Sequence, residues 1–307
     1  MKLVQPSYWK DINLISLMLY PISLITNLIN FFKIFQKKRK YNIKTICIGN
    51  IYLGGTGKTP LSILINKILK KKYKTVFLKK KYQDQAEEQK LLKKNGKLIC
   101  EKKRSLCLIK AENKNFDLAI IDDGLQEKNI NYDISIACFN STSEVGNGFL
   151  LPAGPLRENL SSLKNYDAVL INGEKKSNKL IKKIKYQNSR IKIFCGSYKI
   201  NNINNFKRNK KYLAFSGIGS PWEFKNTLKK NKFIISEYLI YPDHYNYKKS
   251  DIEKIKNKAK QNNLEIITTE KDYLRINKKS IKDINFINIE LKIKNLPSFN
   301  KFLISKL

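Results

Sequence analysis

The residues Gly49-Asn50-Ile51-Tyr52-Leu53-Gly54-Gly55-Thr56-Gly57-Lys58-Thr59-Pro60 carry the strongest structural signal in this chain. The apolar run 43–51 predicts a strand, and the apolar positions that follow Pro60 recur at helical spacing. Glycines between a strand and a helix let backbone N–H groups converge on phosphate oxygens, and the helix N-terminus adds its dipole. The pattern predicts a phosphate-binding loop made of Gly54, Gly55, Thr56, Gly57, Lys58 and Thr59.

Within this loop, Lys58 is expected to reach the β- and γ-phosphates of ATP, and the Thr59 hydroxyl to ligate Mg²⁺. Tyr52 stands where the strict form of the motif has glycine. Asp122 and Asp123 end a second apolar run, and carboxylates at the end of such a strand can hold Mg²⁺ directly or through water. Paired acids are also common in plain turns, but the phosphate loop upstream favours the metal role.

The rest of the chain alternates short apolar strands with helical patterns, which is typical of α/β folds. An Asn- and Lys-rich stretch, 199–211, separates two such regions. Pro221 begins one helix of the second region, and Ser250-Asp251-Ile252-Glu253 predicts a capping box for another. We therefore predict a parallel-sheet domain like those of P-loop NTPases over 41–200, a smaller α/β domain over 201–307, and an N-terminal membrane-associated helix with a basic cluster over 1–40. Strands are predicted at 75–78, 116–121, 133–139, 166–171, 190–195, 212–215, 233–240 and 264–268.

Composition adds a large positive charge. The 307 residues include 61 Lys and Arg against 25 Asp and Glu, a net charge of +36. Such an excess points either to a polyanionic partner or to biased composition that spreads lysine over solvated surfaces, as the runs 70–72 and 79–81 suggest. Only six of the basic residues are arginine, which weakens a nucleic-acid reading. Five cysteines without a C-x-x-C pair, and a single histidine, indicate reduced thiols and disfavour a zinc site.

The segment 12–32 is uncharged and is followed by Lys37-Lys38-Arg39-Lys40. As a helix it would reach roughly 32 Å, enough to cross the hydrocarbon core of a bilayer. Its polar residues recur every three or four positions and form one narrow stripe, which favours a helix lying in the membrane interface with the basic cluster on anionic head groups. A core helix and a true span are the alternatives. The stripe consists of Asn13, Ser16, Tyr20, Ser23, Asn27 and Asn30.

Several blocks of the sequence together resemble the tetraacyldisaccharide 4'-kinase (lipid A 4'-kinase) family. They run in family order between about residues 45 and 275 and depart from the family pattern in places. The block Ser-Arg-Gly-Tyr-Gly appears only as Lys79-Lys80-Lys81-Tyr82-Gln83, and Glu127 stands where histidine is usual. The matching blocks are 49–60, Asp122-Asp123-Gly124-Leu125-Gln126, Leu151-Pro152-Ala153-Gly154-Pro155-Leu156-Arg157-Glu158, 216–221, 241–247 and 268–272.

The resemblance implies a P-loop kinase that uses ATP and Mg²⁺ to phosphorylate the 4'-hydroxyl of a tetraacylated glucosamine disaccharide 1-phosphate. It also implies two α/β domains joined by a hinge, and a location on the cytoplasmic face of the bacterial inner membrane, peripheral or monotopic. The expected partners are the lipid disaccharide and the membrane surface; nucleic acid and an obligate protein partner are not expected.

The resemblance further implies a catalytic histidine assisted by a carboxylate. His244 is the only histidine, and imidazole accepts a hydroxyl proton near neutrality. Where the family has Gly-Asp-Glu, this chain has Ala86-Glu87-Glu88, so Glu87 is the expected partner and Asp84 its rival. Arg104 falls where the family carries an arginine directed at phosphate. Lys58, Arg104, His244 and Glu87 are thus the expected catalytic residues.

Two other classes remain as alternatives. A P-loop GTPase or metallochaperone-like NTPase would need an Asn/Thr-Lys-x-Asp segment, and Thr269-Glu270-Lys271-Asp272 lacks the intervening residue. A basic nucleic-acid-binding P-loop NTPase would bind DNA or RNA with an affinity that falls steeply with salt. The apolar helix at 12–32 favours a lipid partner over nucleic acid.

Overall fold

The computed structural model describes residues 6–82, 86–175, 177–207 and 209–307. Its helices are α1 (Leu14–Ile34), α2 (Lys58–Leu69), α3 (Ala86–Asn95), α4 (Arg104–Asn113), α5 (Asn178–Gln187), α6 (Pro221–Lys230), α7 (Lys249–Gln261), α8 (Glu270–Tyr273) and α9 (Leu296–Lys306). Its strands are β1 (Lys44–Gly49), β2 (Thr75–Lys80), β3 (Leu98–Glu101), β4 (Leu118–Asp122), β5 (Ile134–Asn140), β6 (Ala168–Asn172), β7 (Lys192–Ile200), β8 (Lys211–Ser216), β9 (Ile234–Ile240), β10 (Glu265–Thr269), β11 (Ile284–Ile287) and β12 (Ile289–Ile293).

The described residues fall into two compact units. The larger unit takes in 6–82, 92–197 and 291–307, and the smaller takes in 86–91 and 198–290. These limits differ from the predicted division at 200. Strand β12 adjoins β7 in the large sheet, and the rings of Phe299 and Phe302 pack against Phe194. Burial of these aromatic rings explains why the C-terminal residues belong with the larger unit.

The larger unit contains a sheet in the order β12-β7-β6-β5-β1-β4-β2-β3, and the pairs from β7 to β3 are all parallel. Its central strands β4, β5 and β6 are buried throughout, in keeping with their largely apolar sequences. Strand β1 lies between β4 and β5, so the chain leaves β1 at the point where the strand order reverses. Ligands of open α/β sheets bind at this kind of position, and the predicted phosphate loop follows β1 directly.

The smaller unit contains a parallel sheet in the order β11-β10-β8-β9. Its α/β class agrees with the prediction, but one helix start was wrong. Helix α7 begins at Lys249 rather than after Ser250, and Asp251 accepts a hydrogen bond from the backbone N–H of the N-cap residue Lys248. The acid at the third position of the helix, and not the predicted serine, therefore bonds the N-cap residue.

Polar side chains of helix α1 form hydrogen bonds with the loop 150–157 of the same chain. The Ser23 hydroxyl donates to the carbonyl of Leu150 (2.8 Å), and the Asn30 amide donates to the carbonyl of Arg157 (2.7 Å). Between them, the Thr26 hydroxyl donates to a carbonyl of the same loop. The remaining faces of the helix are apolar and exposed, and only 11% of the segment Leu14–Lys33 is buried. The alternative of a core helix is therefore wrong.

Candidate active site

The loop between β1 and α2 is shaped by glycine and by one buried amide. Gly57 has a φ of 93° and caps α2, a backbone conformation that side chains with a Cβ rarely adopt. The Asn50 side-chain amide donates to the Gly54 carbonyl (3.2 Å) and to the Thr56 hydroxyl (3.0 Å). Asn50 is fully buried, so these bonds fix the path of the loop from within. The loop delivers Lys58 and Thr59 as the first residues of α2.

Asp122 lies at the end of β4, beside the end of β1, and is completely buried. The Thr59 hydroxyl lies 3.3 Å from one carboxylate oxygen, and the Ser62 hydroxyl donates to the other at 3.1 Å. The ammonium group of Lys79 donates to Asp122 at 2.8 Å, and the whole residue is only 1% exposed. The structure thus brings Thr59 and Asp122 together as the sequence predicted. It also places a buried cation, Lys79, on Asp122, which the sequence analysis did not predict.

Asp123 follows in a left-handed turn (φ 61°) and lies among cations. The Arg157 guanidinium donates to its carboxylate at 3.1 Å, and the Lys58 ammonium lies 3.8 Å from it. Burial alone would raise the pKa of Asp123, but Lys58 and Arg157 hold it well below its usual range. Asp123 is therefore ionised, and Lys58 is held near the loop by an anion of its own chain.

Arg104 supports this turn. Its guanidinium donates to Glu127 at 3.0 Å and to the backbone carbonyl of Asp123, and it is 5% exposed. Burial would lower the pKa of Arg104, yet the neighbouring Glu127 raises it, so the group stays charged. Both terminal nitrogens of the guanidinium thus donate to groups of the chain itself. The phosphate-directed role expected of Arg104 stays a prediction.

The donors around Thr59 suit Mg²⁺ in part. Across residues 6–82, 86–175, 177–207 and 209–307, no group of three His, Cys, Asp or Glu side chains is placed to hold a metal ion. A hydroxyl beside a single carboxylate nevertheless fits the way Mg²⁺ binds at phosphate sites, where phosphate oxygens and water complete its octahedron. Thr59 and Asp122 are the residues that fit this role best.

The smaller unit holds a second cluster of polar groups, centred on Glu87 of α3. His244 Nδ1 lies 2.6 Å from Glu87 Oε1, and Arg275 donates to the same oxygen at 2.9 Å. Glu87 is 3% exposed. Burial would raise its pKa, but the hydrogen bonds from His244 and Arg275 lower it to about 2. Because an ionised carboxylate only accepts hydrogen bonds, Nδ1 is the ring nitrogen that donates to Glu87, and Nε2 is the acceptor nitrogen whenever the imidazole is neutral.

A buried acid holds this cluster in place. Asp272 accepts hydrogen bonds from Arg275 (2.9 Å), from the Tyr247 hydroxyl (2.9 Å) and from the backbone N–H of Gly217 (3.0 Å). The backbone N–H of His244 donates to the carbonyl of Gly217 (3.1 Å), and His244 has a φ of 57°. Such a strained backbone persists only where its surroundings determine it. The network therefore fixes the imidazole relative to Glu87.

The structure brings His244 and Glu87 together, the pairing that the family resemblance implies. The rival residue Asp84 lies outside the described residues. Sequence reasoning missed three charged side chains, Lys79, Arg157 and Arg275. Arg157 was visible only as a member of a matching block, and Arg275 follows Asp272 by three positions, the spacing of one helical turn. Lys79 was hidden in a lysine run assigned to solvated surface, an interpretation that its burial shows to be wrong.

The lowered pKa of Glu87 predicts an acid-dependent loss of stability. A folded-state pKa of about 2, against an ordinary value of 4.5, stabilises the fold above pH 4.5, and this contribution disappears as the pH falls from 4.5 to 2. The Glu87→Gln variant lacks it, so its free energy of unfolding should lie about 3 kcal/mol below wild type at pH 6, and the difference should narrow towards pH 2.5. Urea unfolding at several pH values measures this.

The exposed Glu253 offers the matched control for that experiment. Glu253→Gln removes an equal charge from a solvated helix surface, where ion pairs contribute little. Its unfolding free energy should follow wild type at every pH. A constant difference between Glu87→Gln and wild type across the range would contradict the assignment.

Comparison with known proteins gives one consistent result. A family model described as tetraacyldisaccharide-1-P 4'-kinase matches residues 15–307. A relative from Pelagibacter ubique (strain HTCC1062), named tetraacyldisaccharide 4'-kinase, is 46% identical over 99% of this chain and 98% of its own length. One of the same name from Rickettsia bellii (strain OSU 85-389) is 34% identical over 96% of both chains. The crystal structure of an "apo" form of LpxK from Aquifex aeolicus in complex with ATP is similar in fold, with a TM-score of 0.72 and 21% identity over 95% of this chain and 99% of that one.

Proposed function

We propose a reaction from one premise: the chain belongs to the tetraacyldisaccharide-1-P 4'-kinase family, whose model matches it from residue 15 to its end. The reaction is transfer of the γ-phosphoryl group of ATP to the 4'-hydroxyl of a tetraacyldisaccharide 1-phosphate. In it the terminal P–O bond of ATP breaks, a new P–O bond forms to the sugar, and the hydroxyl proton leaves to a base. The observation that supports it most is the glycine-capped loop that presents Lys58 beside the buried carboxylate Asp122.

The nucleotide half of the reaction belongs to the loop between β1 and α2. The free N–H groups at the start of α2 and the Lys58 ammonium attract the phosphate oxygens of ATP. The phosphates of ATP would compete with Asp123 for Lys58. The Lys58 ammonium lies only 3.8 Å from the Asp123 carboxylate and is partly accessible. Mg²⁺, held by Thr59 and Asp122, would supply charge neutralisation at the transferring group. Phosphoryl transfer depends on such positioning and neutralisation more than on proton removal.

The acceptor half belongs to His244. With Nδ1 directed to Glu87, Nε2 can accept the proton of the sugar hydroxyl, and the ionised Glu87 stabilises the imidazolium that forms. Arg275 shares the same carboxylate oxygen and keeps Glu87 ionised. Asp272 in turn positions Arg275. His244 is thus the proposed general base, with Glu87 and Arg275 as positioning residues.

The direct test is phosphoryl transfer itself. Purified protein is incubated with γ-labelled ATP, Mg²⁺ and tetraacyldisaccharide 1-phosphate in detergent, and the extracted lipid is examined for label at the 4' position. Label on the lipid that depends on both Mg²⁺ and protein supports the proposal. ATP hydrolysis without labelled lipid would favour the nucleic-acid-dependent NTPase that the sequence left open.

We infer that α1 attaches the protein to the membrane surface. Its exposed faces carry Met18 (72% exposed) and Phe32 (63% exposed) among many other large apolar side chains, and such a surface is unfavourable in water. The polar stripe is bonded to the loop 150–157, which also carries Arg157. A spanning α1 would draw that charged loop into the hydrocarbon, so a helix lying in the interface suits the contacts better.

Three apolar residues on one face of α1 provide the test. Charging Met18, Ile25 and Phe32 together, as Met18→Glu/Ile25→Glu/Phe32→Glu, should abolish flotation of the protein with anionic liposomes, because each loses a favourable transfer of apolar area into lipid. Tyr186→Glu, on the exposed side of α5, is the matched control and should float like wild type. Flotation that survives the triple change would point to the basic residues 37–40 instead, and soluble DNA that competes for the protein would support the nucleic-acid alternative.

A further inference from the structure

The described structure holds a buried lysine on the carboxylate proposed to bind Mg²⁺. Lys79 is the penultimate residue of β2, and its ammonium donates to Asp122 at 2.8 Å. The two side chains are 2% and 0% exposed. Strand β2 is hydrogen-bonded to β4, which carries Asp122, so neighbouring strands of one sheet fix the pair. The adjacent Lys80 lies at the end of the strand and is only half-buried.

A lysine in this position has a large energetic consequence. Burying an ionised carboxylate without a counter-charge is strongly unfavourable, and the two hydroxyls on Asp122 supply hydrogen bonds but no charge. A divalent cation would supply that charge, but it must also approach the ammonium within a few ångströms. At such distances like charges repel by several times the thermal energy in a protein interior. Lys79 and Mg²⁺ therefore compete for the same carboxylate.

We propose that Lys79 is an internal counter-ion of Asp122, which keeps the phosphate site assembled without metal and makes Mg²⁺ binding dependent on the nucleotide. In the nucleotide-free protein the ammonium neutralises Asp122, and the site has low affinity for divalent cations. The triphosphate adds negative charge at the same place, and the complex then holds Mg²⁺ as well as Lys79. The inference deepens the proposed function, since it concerns the metal of that same site.

Metal binding without nucleotide tests this directly. Mn²⁺ is the probe, because its EPR signal reports free and bound ion separately. Wild-type protein should bind it weakly in the absence of nucleotide, and Lys79→Met should bind it at least about tenfold more tightly, since the competing charge is gone. In EDTA, Lys79→Met should unfold at a lower temperature than wild type, and Mn²⁺ should restore much of the loss. Lys80→Met is the matched control and should resemble wild type in both measurements.

A double variant separates charge from packing. Lys79→Met/Asp122→Asn has neither charge, so it should unfold at a higher temperature than Lys79→Met in EDTA and should show no gain in Mn²⁺ affinity. If Lys79→Met does not fold, folding of the double variant supports the counter-ion role, and failure of both to fold overturns it. Equal Mn²⁺ affinity in Lys79→Met and wild type also overturns it, as does tight nucleotide-free binding by wild type. These readouts do not use the lipid, so an absence of lipid phosphorylation would refute the proposed function alone.

Discussion

Lys58→Ala is expected to lower kcat for lipid phosphorylation by about a thousandfold or more, the scale set by single charged groups that stabilise transferring phosphoryl groups. The reason is geometric. Lys58 is the first residue of α2, directly after the glycine that caps the helix, so its ammonium is positioned at the loop that the phosphates of ATP would occupy. In the structure it contacts an anion already, Asp123, at 3.8 Å. Steady-state kinetics with labelled ATP measure the loss.

The control for this variant is Lys71→Ala, which removes a lysine from the exposed end of the same helix region. It should keep wild-type kcat and KM. Lys58→Ala should also unfold at a somewhat lower temperature than wild type, because Asp123 loses one of the cations that hold its pKa down. A Lys58→Ala protein that retains a tenth of the wild-type kcat would rule out the loop as the nucleotide site.

Much of the site could be predicted because parallel sheets place strand ends together. Once 43–51 and 116–121 were identified as strands, the residues after them had to meet at one edge of the sheet. The structure places Asp122 beside Ile48 at the ends of β4 and β1, with Thr59 3.3 Å from the carboxylate. The positions of the strands alone, together with the rule that parallel strands place their carboxyl ends at one edge, therefore predict this part of the site.

The contacts of charged side chains could not be predicted in the same way. Lysines 79–81 look alike in sequence, and the predicted strand ended at residue 78. In the structure β2 continues to Lys80, and its residues 76–79 are buried on both faces of the sheet, so Lys79 lies beside Asp122 away from solvent. Extending the strand by two residues thus changes Lys79 from a predicted surface lysine into one half of a buried ion pair. Sequence patterns predict the ends of strands less well than their centres.

The contacts of helix α1 could not be predicted from the sequence either. The spacing of Ser23, Asn27 and Asn30 correctly indicates a single polar stripe on a helix, although the sequence analysis did not include Thr26 in it. Periodicity does not reveal what the stripe contacts, and head groups or water would suit it as well as protein. The structure shows backbone carbonyls of the loop 150–157 as its partners. Because the protein itself satisfies the polar stripe, the exposed faces of the helix are the apolar ones, and these are the faces proposed to contact lipid.

The second large effect is expected at His244. His244→Ala should lower kcat by about a hundredfold, within the range of general-base catalysis and less than the loss expected for Lys58→Ala. A remnant should remain, because proton removal contributes less to phosphoryl transfer than charge neutralisation does. The Glu87→Gln variant should lose less kcat, about tenfold, because the imidazole remains and only its Nδ1 partner loses its charge.

The pH dependence of the variants distinguishes a base from a residue that merely supports the fold. Wild-type kcat/KM should fall on the acid side, because a general base acts only in its unprotonated form, whereas the His244→Ala remnant should lack this limb. Added imidazole should restore part of the His244→Ala activity and none of that lost by Lys58→Ala. If His244→Ala kept the acid limb unchanged, or lost more activity than Lys58→Ala, His244 would not be the base, and Glu87 would be a structural partner of Arg275 alone.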